Sequence, residues 1–177
     1  MAYSFVEPIL GMLQVAETDA GITPPNSSTA IPTPPATLGQ VVRAYDPILG
    51  EGEMILLLGV ASTVVGSLVS YNATTYQTAL SANTARLAGP VAVAMSACTA
   101  GLFGWYQIGG LAVIKKTAVA VSAQVAVYQS ATTGRIMATA ASGMQIEGAR
   151  AANLASVTST TSTVIVSINR PHKAGAA

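Results

Sequence analysis

The sequence predicts a mainly β protein: a compact β-sandwich or β-barrel of short strands that carries an extended Pro-rich N-terminal arm. Three observations predict it. Short apolar runs rich in Val, Ile and Leu recur between Gly, Pro and Asn turn signals, as in Met54–Val60, Pro90–Ser96 and Phe103–Ile108. Thr163–Asn169 alternates strictly, with Val164, Val166 and Ile168 on one face and Thr163, Ile165 and Ser167 on the other, the pattern of a half-exposed strand. Only 8% of the residues are charged, so small polar and apolar side chains must cover much of the surface, as suits a chain that meets other subunits.

Residues 1–21 form a short mixed segment. The tract 22–37, ITPPNSSTAIPTPPAT, holds five of the nine prolines, Pro24, Pro25, Pro32, Pro34 and Pro35, which favour polyproline II over sheet or helix. Extended, it would span roughly 50 Å. Residues 1–37 are therefore expected to form an arm with few contacts to its own domain, and those five prolines are its candidate interface residues. The β domain is assigned to 38–171 and a mobile tail to 172–177.

Within the domain, Leu38–Tyr45 reads as the first strand, ended by Asp46-Pro47. Met54–Val60 reads as a strand covered on both faces, and Gly66–Asn72 as the next. Residues 73–88 lack alternation and read as a loop with a helical turn. The central stretch is Gly89–Lys116: a strand over Pro90–Ser96, a turn at Thr99–Gly101, a strand over Phe103–Ile108, a bend or bulge at Gly109-Gly110, and a strand over Leu111–Ile114. Period-2 geometry puts Trp105 and Tyr106 on opposite faces, so both are candidate core residues packed by Met54–Val60 and Pro90–Met95. Ala118–Ser122 alternates Val with Ala, Val125–Gln129 and Arg135–Thr139 form a hairpin about Ala131–Gly134, and Ile146–Ala151 precedes the last strand.

The net charge is +1 with no basic block, which excludes the electrostatic footprint of nucleic-acid or anionic-membrane binding. The single Cys98 excludes an intrachain disulfide, and MAYSFVEPILG lacks the early positive charge of a secretory signal, so cytoplasmic synthesis is expected. Two uncharged stretches, 54–71 and 90–114, are long enough for membrane spans and make a small integral membrane protein one alternative. A β-sandwich ligand-binding module with Trp105 and Tyr106 as an exposed stacking platform is another.

Catalytic chemistry is poorly supplied. His172 lies in a polar stretch, and Cys98 sits among Ala, Ser and Thr with no cation beside it. Glu51, Glu53 and Asp46 could attract a divalent cation, but a solvated strand entrance is the simpler role. No phosphate loop, dinucleotide fingerprint or nucleophile elbow occurs, and Asn26-Ser-Ser and Asn72-Ala-Thr match a glycosylation triplet common by chance. No enzymatic activity, cofactor or metal is expected.

Several segments carry a resemblance in their order: AYSFVEPILGMLQVA, LGQVVRAYDPILGEGEMILLLGVASTVVGSLVSYN, GPVAVAMSACTAGLFGWYQIGGLAVIK, IEGARAAN and SINRP. Together they resemble the capsid decoration, or cement, proteins of tailed bacteriophages. The resemblance spans most of the chain apart from the Pro-rich tract. It implies a β-rich structural virion protein on the outer face of an icosahedral head, seated over junctions of the major capsid protein. Neighbouring copies of itself are the other implied partner, a trimer before a dimer, because capsids present threefold positions.

Overall fold

The computed structural model describes residues 3–7, 12–22, 32–82 and 88–174. Among these, all regular structure is strand: β1 Ser4–Phe5, β2 Thr18–Asp19, β3 Val41–Asp46, β4 Gly50–Leu58, β5 Leu68–Tyr71 and β6 Thr78–Leu80 come first. β7 Gly89–Ala94, β8 Phe103–Lys115, β9 Ala126–Gln129, β10 Ile136–Met137, β11 Gln145–Ala151 and β12 Thr163–Lys173 follow. They join in one antiparallel sheet of the order β1-β3-β4-β8-β7-β12-β11-β9-β10, which folds over on itself in the manner of a sandwich without closing.

The sheet is organised by β8, because that strand is long enough to take several partners in succession. One edge pairs with β4 from Phe103 to Gly110. The other edge meets β2 at Phe103 and Gly104, β7 at Tyr106 and Gln107, and β12 from Gly109 to Lys115. Met54 faces Gln107 while Glu53 faces Gly109, so Ile108 is an extra residue, a β-bulge that kinks the strand. Gly110 follows with φ +90°, and a Cβ there would stand 2.3 Å from the Glu51 carbonyl oxygen. The bulge expected at Gly109-Gly110 lies one residue earlier, at Ile108. It bends one continuous strand instead of separating two.

Three apolar clusters result. Trp105, fully buried, packs with Tyr3, Phe5, Met54, Leu56 and Phe103 on one face of the β4–β8 pair. Tyr106, equally buried, packs on the other with Ile55, Leu57, Val69, Ala92 and Ala94. Beyond the bulge, Ala112 and Ile114 join Val91, Val93, Val164, Val166 and Ile168 against the strands β9 to β11. Both faces of β4 are covered, which is why MILLL is unbroken by polar residues. On β12 the expected alternation holds, with Val164, Val166 and Ile168 buried while Ile165 and Ser167 are exposed.

The N-terminal arm is the main correction. Residues 3–7 and 12–22 belong to the domain: β1 pairs with β3, β2 pairs with β8, and Tyr3, Phe5 and Val15 lie in the core. The Trp105 indole Nε1–H donates to the Leu13 carbonyl at 2.7 Å, and the Tyr3 hydroxyl donates to the Leu111 carbonyl at 2.7 Å. The physical reason is that β3 would otherwise present an open edge and Trp105 an uncovered ring, and the aromatic residues of a segment that read as mixed supply both covers. Ile22 and Thr33 exchange two backbone hydrogen bonds of 2.8 Å, so these two residues stand side by side and not about 35 Å apart, as a fully extended tract would set them.

Smaller corrections concern the later chain. Residues 73–88, expected as a loop with a helical turn, contain β6 after a hairpin turn in which Asn72 Oδ1 accepts the backbone N–H groups of Thr74 and Thr75; residues 83–87 lie outside the described residues. Ala118–Ser122 contributes only one bridge, Val121 to Val157. At the other end, His172 and Lys173, assigned to a tail, are the last residues of β12, and Ala174 N–H donates to the Gln145 carbonyl.

Candidate functional site

The charged side chains of this charge-poor protein are unevenly placed. Arg43 on β3 pairs with Glu51 on β4, Glu53 on β4 pairs with Arg170 on β12 at 3.3 Å, and Glu147 on β11 meets His172 on β12 at 2.9 Å. These pairs form a band across the strands, interrupted only where β8 passes between β4 and β12. There β8 contributes Gly109, opposite both Glu53 and Asn169. Because Gly109 has no side chain, the Glu53 side chain lies over it, with Cβ and Cγ each 3.2 Å from where a Cβ would stand, and reaches Arg170.

The band borders a shallow groove of about 260 Å³ lined by Arg43, Glu51, Gly52, Glu53, Gly109, Gly110, Ile168 and Asn169. Its floor is rigid. Beneath Gly52 the fully buried Gln107 donates from Nε2 to the Tyr3 hydroxyl, the Gly109 carbonyl and the Leu111 carbonyl at 3.2, 3.0 and 3.0 Å. Each ion pair is at least 40% exposed on both sides, so the band contributes little to stability, and its chemistry is that of a polar contact surface with both signs of charge presented outward.

The residues singled out in the sequence fall elsewhere. Pro24 and Pro25 lie outside the described residues, while Pro32, Pro34 and Pro35 are half-buried beside the Ile22–Thr33 bridge. Trp105 and Tyr106 are core residues with no exposed ring, which removes the stacking platform. Cys98 is buried, donates to the Leu102 carbonyl at 3.2 Å, and is held above the usual thiol range by its burial. Asp46 caps the β3–β4 turn by accepting from the N–H groups of Ile48 and Leu49, and Glu51 and Glu53 are committed to arginines. Among the described residues no group of three or more His, Cys, Asp or Glu side chains could hold a metal ion.

Sequence reasoning missed Gly109, Arg170, Glu147 and His172 as parts of one surface, because their proximity depends on which strands pair. Among the described residues, no helix is long and apolar enough to cross a membrane, and the proposed spans 54–71 and 90–114 are occupied by strands and turns. No protein family, curated protein or solved structure matches the chain.

Proposed function

We propose that this chain is a structural capsid decoration protein of a tailed bacteriophage, bound to the outer surface of the icosahedral head and stabilising it by bridging major capsid protein subunits. Its support is the ordered set of segments that resembles such proteins. The observation that carries it furthest is the mixed-charge band from Arg43 to His172, laid over a glycine-floored groove on an otherwise charge-poor β domain. A surface of this kind fits a flat polar partner through paired charges and has nothing to act on a small substrate. In this reading the protein is not an enzyme, needs no cofactor, binds neither nucleic acid nor membrane, and is made in the host cytoplasm before joining the virion. Neighbouring copies contact one another about threefold positions as a trimer, with a dimer as the other arrangement.

The test is direct. Purified protein is mixed with heads lacking it, and bound copies are counted by electron microscopy. Saturation at a number set by the icosahedral lattice, on the outer face, is the expected result, and bare shells at micromolar protein would refute the proposal.

A further inference from the structure

The β5–β6 hairpin and the start of β7 border a second groove, of about 460 Å³. Its ten lining residues include Tyr71, Asn72, Thr75 and Lys173, and none of the ten is acidic. Lys173 is the notable member. Residue 173 faces Gly89 of β7 and Ile146 of β11, and strand alternation turns its side chain away from the exposed His172 beside it. The residue is only 2% exposed, yet it makes no ion pair or side-chain hydrogen bond. Its counterpart Lys116, buried to the same degree, donates to the carbonyls of Thr117 and Val119 at 3.3 and 2.9 Å. The Lys173 stem is buried while its Nζ ammonium reaches solvent without a protein partner, so its charge is presented at the groove.

Three more donors on the same groove are uncommitted. The Tyr71 hydroxyl has no hydrogen-bond partner, nor does the Thr75 hydroxyl. Asn72 uses only Oδ1, which accepts from the Thr74 and Thr75 N–H groups at 2.7 and 3.0 Å, and this leaves its Nδ2 free to donate. We propose that this groove is a binding site for a carboxylate, with the Lys173 ammonium as counter-charge and the Tyr71, Thr75 and Asn72 donors as orienting groups. Lys173 is the one cation in the groove's lining, and Arg170, whose charge acts on the Tyr71 hydroxyl, is paired with Glu53. One cation with neutral donors matches a monoanion, whereas a phosphate dianion calls for a second free cation or a nest of backbone N–H groups. Burial holds the Lys173 ammonium below the usual lysine range, the condition that an incoming anion relieves. The site does not depend on the chain's role on a capsid, since it is built from residues outside the charge band.

The carboxylate could be that of a small free acid or of an acidic side chain on another protein, and two probes separate these sources. Full-length protein labelled with 13C and 15N is titrated with sodium acetate, with acetyl-Gly-Glu-Gly-amide, and with sodium chloride and sodium phosphate at matched ionic strength. The Lys173 side chain and the Asn72 carboxamide are followed by NMR. Saturable shifts at both groups, on the order of millimolar for a ligand as small as acetate, are expected with acetate and not with chloride. Tighter binding of the peptide assigns the site to a protein side chain, and equal or weaker binding assigns it to a small acid. Lys173→Met should weaken binding by at least about tenfold. Asn72→Asp keeps the turn-capping oxygen but places a negative charge on the groove, so it should abolish binding in a protein that still folds. Shifts that chloride reproduces, shifts that persist in Asn72→Asp, or phosphate binding tighter than acetate would overturn the proposal.

Discussion

The ring of Phe5 meets the ring of Trp105 edge to face, with centroids 5.3 Å apart at 67°. The same indole donates through Nε1 to the Leu13 carbonyl, so a side chain at the middle of the sheet is held by two points of the N-terminal segment. Removing residues 1–21 should therefore damage the fold. It withdraws Tyr3, Phe5 and Val15 from the core, and at roughly 1.5–3 kcal/mol each the loss is about 4.5–9 kcal/mol, comparable with a whole domain's stability of about 5–15 kcal/mol. Circular dichroism melts of the truncated chain should show a lost or strongly lowered transition. An unchanged midpoint would mean that the segment is dispensable.

Phe5→Ala tests the same contact with a single change. It opens a space beside Trp105 and should cost about 3 kcal/mol in urea unfolding. Trp105 emission in the intact protein should be shielded from acrylamide, and the variant should raise its quenching, because Phe5 is part of the cover over the ring.

Gly110 and Gly109 are adjacent but should respond differently to a methyl group. Gly110→Ala combines φ +90° with a Cβ 2.3 Å from the Glu51 carbonyl oxygen, a backbone atom that cannot move alone, and should cost about 3 kcal/mol or more. Gly109→Ala meets the Glu53 Cβ and Cγ at 3.2 Å, a contact that a shift of about a few tenths of an ångström relieves, with at most the loss of the exposed pairing with Arg170, for about 1 kcal/mol or less. Urea midpoints in the reverse order would contradict the bulge geometry.

Alkaline pH should destabilise the fold. Burial holds Tyr3, Tyr71 and Tyr106 above the usual tyrosine range and Cys98 above the usual thiol range. For each the folded value exceeds the unfolded one, so its stabilising contribution is complete below the unfolded value and is lost as pH rises through the folded one. With unfolded values of about 8.5 for Cys and 10 for Tyr, the melting midpoint should begin to fall near pH 9 and drop further above pH 10. Lys173 acts with the opposite sign, since its lowered value makes a contribution that is present at high pH and lost as pH falls through that value, and one lysine offsets only part of the effect. A midpoint that stays level to pH 11 would exclude this coupling.

Charge reversal of the band separates folding from attachment. Glu51→Lys with Glu53→Lys removes two exposed pairings worth about 1 kcal/mol or less each and leaves the domain folded. If the band is the face that meets the capsid, occupancy on heads should fall by at least about tenfold, since like charges placed across an interface cost several kcal/mol. Unchanged occupancy would move the attachment surface elsewhere.

Much of the strand content follows from local sequence. Turn signals and β-branched runs are enough to locate β4, β7, β8, β9 and β12, and the doubled glycine marks the bulge to within one residue, because these features depend on the preferences of neighbouring residues along one strand. Period-2 alternation likewise puts Trp105 and Tyr106 on opposite faces. Tertiary structure alone decided where the N-terminal segment goes: nothing in Ala2–Ala16 states that Tyr3 and Leu13 will meet Leu111 and Trp105 across about a hundred residues of chain. The charge band and the Lys173 groove were equally hidden. Glu53, Gly109 and Arg170 are unremarkable as separate residues, and they become one surface only because antiparallel pairing sets β4, β8 and β12 side by side in a single register, which is fixed by packing between distant strands.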